Sequence, residues 1–498
     1  INGRIWTGDS TQPWVSVMAV HNDRIVYAGN DSNLARFSDT PEIIDLAGQF
    51  VMPGFIDNHV HFLSGGLQLA SVNLRNAGSK FEFIGTLAKF ISSLPDKNRW
   101  ITGGDWDHEN WGGELPHKSW IDSITGDQPV MLNRYDGHMV ICNSKTLELA
   151  GITRNTTSPP GGEIIKDKNG EPTGVLKDEA VNLVNQVMPV PDETQLDEAL
   201  HRATEHALSH GVTFVNDVGS FGGWTDLATY RRNYSNKKLG IRIYSFVPLE
   251  SWARLDSFIK QNGKGDSLLK WGGLKGFTDG SLGSTTAWFY KPYLDAPYTS
   301  GLTLTDTSLI RRWIRQADSA GLHLAIHAIG DRANDFILGV FEQVSKGKRN
   351  DPRFRIEHAQ HLSSDAMQKF KNLNVIASMQ PYHAIDDGRW AHKRLDQDRL
   401  SRTYAFGSLL ANEVKLTFGS DWTVAPINPF MGIYAAVTRS TLDGKNPDGW
   451  FPEQKISVEQ ALYAYTSANA RASFSEKQTG QIREGMLADF IVLSANPL

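Results

Sequence analysis

Short apolar runs that end in a residue able to bind a cation recur through the chain. The first is Val51-Met-Pro-Gly-Phe-Ile-Asp-Asn-His-Val-His61, which closes on two histidines one residue apart. Four later runs behave in the same way: Leu274-Lys-Gly-Phe-Thr-Asp-Gly-Ser, Leu324-Ala-Ile-His-Ala-Ile-Gly-Asp, Phe354-Arg-Ile-Glu-His-Ala-Gln and Leu416-Thr-Phe-Gly-Ser-Asp. β-Rich runs at 212–218, 241–247, 273–277, 322–327, 354–358, 375–379 and 415–418 predict strands, and most are separated by segments with helical character, such as 193–210 and 308–320. With the run before His59 the strands number eight, the count that closes a (β/α)8 barrel in the α/β class. In that fold the active site gathers at the C-terminal strand ends, where the candidate ligands fall.

The rhythm breaks once. Between the first and second predicted barrel strands, residues 63–190 far exceed one helical crossover and predict an inserted subdomain that shapes the substrate pocket. It contains Trp100-Ile-Thr-Gly-Gly-Asp-Trp-Asp-His-Glu-Asn-Trp and Val130-Met-Leu-Asn-Arg-Tyr-Asp-Gly-His-Met, both rich in polar and aromatic side chains. Both chain ends look like β structure, with runs at 15–21, 24–29 and 42–48 and again at 480–493.

Composition narrows the function classes. The 498 residues are 40% hydrophobic and 21% charged, enough apolar material for a substantial core. The net charge of -5 comes from 55 acidic and 50 basic residues without a block of one sign, which argues against a nucleic-acid partner. No apolar run approaches the roughly 20 residues that span a bilayer. The expectation is a soluble protein without a transmembrane segment, cytoplasmic by default, with the secretory pathway or ER lumen open if a leader has been removed. A single cysteine, Cys142, excludes an internal disulfide framework and has no triad-like neighbours.

Alternate residues of a strand share a face, so His59 and His61 can present two imidazoles to one ion. Alone, the pair reads equally well as a packing feature. Together with the four later runs, it outlines a metal site. Imidazoles and carboxylates suit zinc and leave positions open to water, unlike a closed structural site built from cysteines.

In these words the chain resembles the amidohydrolase superfamily, specifically its amidohydrolase-3 or YtcJ-like branch, which includes N-substituted formamide deformylase and the plant long-after-far-red proteins. The resemblance rests on Met-Pro-Gly-Phe-Ile-Asp-Asn-His-Val-His, Lys-Gly-Phe-Thr-Asp-Gly-Ser-Leu-Gly-Ser, His-Ala-Ile-Gly-Asp, Arg-Ile-Glu-His and Gly-Ser-Asp-Trp in this order. It implies a TIM barrel over 52–62 and 191–454, with a small β-sandwich formed from 1–51 and 455–498. It also implies one or two divalent ions per chain, usually zinc, and a small-molecule substrate; a homodimer stays open.

Carried over by position, the resemblance makes His59, His61, His327, His358 and Asp421 metal ligands. Lys275 takes the place where many relatives carry a lysine carboxylated by CO2, since a carbamate can bridge two ions and an ammonium cannot. The alternative is an ordinary lysine paired with Asp279 or Asp421 and a mononuclear centre. Asp421 is also the expected general base and acid. It would take a proton from a metal-bound water, whose pKa falls from about 16 toward about 7, and return it to the leaving nitrogen. His138, Arg134 and His383 are candidates for polarising the carbonyl or binding substrate. For Arg134 and His138 the alternative is a structural Arg134–Asp136 pair beside a packed histidine.

The expected function is hydrolysis of an amide-type C–N bond other than a peptide bond, in the N-acyl or N-formyl amine class. A cyclic amide, imide or ester hydrolase on the same metal site is one alternative. A regulatory or signalling protein that retains the scaffold is another, against which the complete ligand set argues.

Overall fold

Eight strands form one parallel sheet: β1 (Phe55–Val60), β2 (Val212–Asp217), β3 (Arg242–Pro248), β4 (Leu269–Phe277), β5 (His323–Ala328), β6 (Arg355–His358), β7 (Ile376–Met379) and β8 (Lys415–Phe418). Each pairs with the next in chain order. This computed structural model describes residues 1–31, 42–94, 100–137, 139–220, 222–345 and 351–498. β1, β5, β6 and β7 are buried at every residue, as expected of parallel strands covered on both sides. The crossover helices follow simple rules. In Thr307–Ser319, the Asp306 carboxylate caps the amides of Ser308 and Leu309, and Ile310, Ile314 and Ala317 turn one stripe toward the core.

The expected (β/α)8 barrel is thus the observed sheet, and the seam between β1 and β8 is where it closes. The His61 amide donates to the Trp422 carbonyl at 2.7 Å and the Asp421 amide to the His59 carbonyl at 2.8 Å. The fully buried Asn469 side chain staples the same seam, donating to the carbonyls of Ile56 at 2.5 Å and Phe418 at 2.7 Å. Asn58 Nδ2 adds a bond to Thr417 Oγ1 at 2.8 Å. Backbone bonds at this seam hold the very residues that carry candidate ligands.

The apolar run before His59 divides at Gly54. Phe50–Pro53 joins a four-stranded sheet with Trp14–Val15, Arg4–Trp6 and Phe490–Leu493, so both chain ends share one sheet. Val17–His21 and Arg24–Gly29 form a separate hairpin, and Ile5, Val15, Ile25, Val51, Ile482 and Met486 make the shared core. A Cβ at Gly54 would lie 2.3 Å from Thr213 Oγ1, so only glycine lets the chain pass from this sheet into β1.

Two strand expectations fail at turns. The run 42–48 is not a strand, because the Asp45 carboxylate accepts from the Ala47 amide and Ala47 and Gly48 take positive φ. Of 480–493 only Phe490–Leu493 is strand, since Gly480 and Gly485 turn the chain at φ 86° and 84°.

Residues 64–203 form a compact unit of their own. Its six-stranded mixed sheet runs Gly162–Lys166, Pro172–Asp178, Met139–Cys142, Met131–Arg134, Gly103–Trp106, Val72–Asn73. Phe83, Leu87, Trp106 and Trp120 lie in its core.

Asn469→Ala should destabilise the fold by about 2 kcal/mol or more, since two buried carbonyls lose their side-chain donor and each such loss costs about 1–3 kcal/mol. Chemical denaturation of the metal-free protein checks this. An unchanged midpoint and slope would show that Asn469 does not staple the seam.

Candidate metal centre

The candidate ligands stand at the C-terminal ends of β1, β4, β5, β6 and β8, and each ring is aimed by a neighbour. His59 Nδ1 lies 2.5 Å from Glu357 Oε2. That carboxylate also receives Ser378 Oγ at 2.7 Å and, on its other oxygen, Arg355 Nε at 2.7 Å. Burial opposes the charge on Glu357, but Arg355 and His59 outweigh it and hold the carboxyl well below its usual range. An ionised acceptor fixes the proton of His59 on Nδ1 and leaves Nε2 as the free donor atom. Nε2 faces Lys275 Nζ at 3.2 Å and Asp421 Oδ1 at 3.5 Å.

The other rings obey the same logic. His61 Nδ1 donates to the Gly219 carbonyl at 2.6 Å, leaving Nε2 at 3.4 Å from Asp421 Oδ1. His358 Nδ1 bonds the Gln380 side-chain oxygen at 2.9 Å, which leaves its Nε2. His327 is the reverse case. Its Nε2 donates to the Gly280 carbonyl at 3.1 Å, and its buried Nδ1 has no hydrogen-bond partner among the described residues. The His358 ring lies 4.9 Å from that of His59 and 4.6 Å from that of His327.

Ligand atoms of His59, His61 and Asp421 all lie within 4.8 Å of one another, as do those of His358, His383 and Asp421. His383 comes from the helix Pro381–Asp387 that follows β7. His358 and Asp421 adopt φ of 72° and 59°, a sparsely allowed region for side-chain-bearing residues that bends the chain at the strand end.

The electrostatics favour the ligating protonation states of His59, His327, His358 and Asp421, whereas at His61 burial is outweighed by the adjacent Asp421 carboxylate, which raises the imidazole above its usual value. Burial, joined by the nearby Lys275 charge, lowers His59 to about 4 and His327 to about 3. Burial and the neighbouring His327 hold His358 well below the usual imidazole value. All three are therefore neutral near pH 7, as a metal ligand must be. Burial acts against the Asp421 carboxylate, yet His59, His61 and His358 together keep it well below the usual carboxylate range. Burial lowers Lys275 to about 8.

These residues fit a divalent cation. Asp421 Oδ1 is buried and without a hydrogen-bond partner among the described residues, and its 3.4 and 3.5 Å separations from the two histidines are too long for good hydrogen bonds. Two atoms each about 2.1 Å from one zinc at the tetrahedral angle lie roughly 3.4 Å apart. The spacing matches.

Arg134 belongs to the unit 64–203, where it pairs with Asp136 Oδ2 at 2.6 Å and Asp107 Oδ1 at 2.9 Å and donates to His108 Nδ1 at 3.3 Å. His138 falls outside the described residues. Cys142 is buried in the same unit, and burial raises its thiol pKa far above the usual value, which suits a packing residue. Glu357 is the contributor that ligand spacing alone does not reveal. The signal was its two-residue offset from Arg355, which puts both side chains on one face of β6.

Comparison with known proteins agrees with this geometry. The amidohydrolase family profile matches residues 42–498. The chain belongs to the amidohydrolase family. Protein LONG AFTER FAR-RED 3 of Arabidopsis thaliana is 42% identical, over 99% of this chain and 86% of its own length. Putative amidohydrolase YtcJ of Bacillus subtilis is 32% identical, over 92% of this chain and 87% of its own. N-substituted formamide deformylase of Arthrobacter pascens is 25% identical, over 100% and 93%. Among solved structures, an uncharacterized metal-dependent hydrolase from Pyrococcus horikoshii matches with a TM-score of 0.83 and 31% identity, over 100% of this chain and 97% of that one. The family and branch expected from the five sequence words are those found.

His59→Ala and His327→Ala should each lose bound metal while the far-ultraviolet circular dichroism stays that of the parent. Elemental analysis after gel filtration measures it. Full occupancy in both variants would remove the site.

Proposed function

We propose that this amidohydrolase-family protein hydrolyses an amide-type C–N bond of an N-acyl or N-formyl amine. The observation that carries the reading is the convergence of histidine rings on one buried carboxylate oxygen, without a hydrogen-bond partner among the described residues, at zinc-like spacing. Similarity over the full chain to N-substituted formamide deformylase supports the bond type. His59, His61, His327, His358 and Asp421 would hold one or two divalent ions, with zinc matching their chemistry. A bound ion supplies Lewis acidity and makes an attacking water acidic enough to ionise near neutral pH.

The chain's own groups do the rest. The Asp421 carboxylate accepts a proton from the attacking water as its oxygen bonds to the carbonyl carbon. It returns that proton to the nitrogen as the C–N bond breaks, giving a carboxylic acid and an amine. His383, with a ligand atom within 4.8 Å of those of His358 and Asp421, would donate a hydrogen bond to the carbonyl oxygen. Arg134 and His138 are proposed to bind substrate.

Lys275 is proposed to carry a carbamate. A side chain whose pKa burial lowers to about 8 is neutral more often than a surface lysine, and only the neutral amine adds CO2. Its Nζ bonds the CO2 carbon and loses a proton. Native mass spectrometry should find one added CO2, and Lys275→Ala should regain part of its activity with short carboxylic acids. An unmodified lysine in a fully active enzyme would favour a mononuclear centre.

Asp421→Asn keeps the size of the side chain and removes its basicity, so kcat on an N-formyl amine should fall by at least about 10²-fold. Steady-state kinetics of the metal-loaded variant decides the role. Near-normal turnover at full metal content would sink it and turn attention to His383.

A further inference from the structure

Beside the metal centre, within the barrel unit alone, lies a cavity of about 610 Å³, well inside the range of small-molecule sites. His61 and Lys275 line it, so it opens directly onto the candidate ligands. Its walls come from the segments that follow β2, β3 and β4 and from the first turns of the helix Thr307–Ser319. Val218, Leu249, Phe277, Leu304, Leu309 and Trp313 supply the apolar surface. Phe277 joins pocket to centre: its ring centroid is 5.4 Å from that of His327 and 4.8 Å from Lys275 Nζ.

Two features define what fits. Phe277 and Leu304 remain 41% and 53% exposed among the described residues, an apolar surface at the cavity. The charges away from the centre are acidic only. Asp306 is bonded as the cap of its helix, while Glu250 is exposed and has no ion-pair partner among the described residues. Among the described residues, and apart from His61 and Lys275, which belong to the centre, no basic side chain lines the cavity. A carboxylate placed beside Glu250 and Asp306, away from the centre, would be repelled, since like charges repel.

We propose that this cavity binds a neutral, apolar, ring-sized substituent of the scissile amide and rejects an anionic one, with Phe277, Leu304 and Trp313 setting the preference. The proposal rests on the amide-hydrolase reading and names its substrate class: amides of uncharged aryl-alkyl groups, as opposed to N-acyl amino acids.

The test uses the metal-loaded full chain and three formamides: N-formyl-2-phenylethylamine, N-formylphenylalanine, which adds only a carboxylate, and N-methylformamide, which lacks the ring. The phenylethyl compound should exceed each of the others in kcat/KM by at least about tenfold, the lower end of what an apolar pocket distinguishes. Leu304→Lys, at an exposed position that folding tolerates, should shift the ratio of N-formylphenylalanine to N-formyl-2-phenylethylamine by about tenfold toward the acid. Calorimetric titration with 2-phenylethanol, which carries the ring and no amide bond, separates pocket from reaction, and Trp313→Ala should weaken binding at least about fivefold. Turnover that ignores ring and carboxylate, and a ratio untouched by Leu304→Lys, would overturn the proposal and leave the amide reading standing. Binding that depends on Trp313 without turnover of any amide would keep the pocket and overturn the reaction. Absence of both turnover and binding would overturn both.

Discussion

A buried ion pair, Arg355 with Glu357, is the constraint on which the centre depends. Both side chains are fully buried, and a charge of this kind persists inside a protein only when it is paired and its remaining hydrogen-bonding capacity is satisfied. Here both conditions hold. Arg355 reaches the Asn58 carbonyl at 2.7 Å and Asn216 Oδ1 at 3.3 Å, and Glu357 receives Ser378 and His59. Side chains and backbone of β1, β2, β6 and β7 are thereby locked in one arrangement. Removing one member of such a pair strands the other charge, at a cost of about 3–5 kcal/mol. The same carboxylate that needs Arg355 for its own stability dictates the tautomer of His59, so folding and ligand geometry rest on one network.

The other ligands are aimed more cheaply, by carbonyl groups that the fold had to place anyway. Gly219 follows β2 and Gly280 follows β4, and their carbonyls take one ring proton each from His61 and His327. Asp279, buried and bonded to the amides of Trp288, Ile329 and Gly330, ties the segment after β4 to the turn after β5, which keeps the Gly280 carbonyl beside His327. Positive φ at His358 and Asp421 stores local backbone strain that the surrounding strands and the β1–β8 seam hold in place. The result is a set of donor atoms positioned before any ion arrives.

Much of this was legible in the sequence because a parallel barrel writes itself as apolar runs of fixed type. All eight strands lie where the runs placed them, and β4 begins earlier than expected, at Leu269, because polar Lys270 broke the apolar signal. The failures have one cause. Runs 42–48 and 480–489 are apolar enough for strands, but one Asx turn at Asp45 and two left-handed glycines decide otherwise, and periodicity does not weigh single backbone positions. Within the centre, residues at strand ends were readable from their spacing. That Glu357 orients a ligand was readable beside His358, but which ring it aims and the choice of ring nitrogen were not, since they depend on which groups from distant strands share a face. The apolar pocket was hidden for the same reason: Val218, Leu249, Phe277 and Trp313 are ordinary core-forming residues until the barrel sets their loops side by side.

The central claim is that these preset donor atoms share a divalent ion. Anomalous diffraction from crystals of the zinc-loaded protein, collected on both sides of the zinc absorption edge, addresses it most directly. The account predicts an anomalous peak at bonding distance from His59 Nε2, His61 Nε2 and Asp421, with any second peak beside His327 Nδ1 and His358 Nε2. Zinc bound only at other residues, or coordinated through the opposite ring nitrogens, would contradict it.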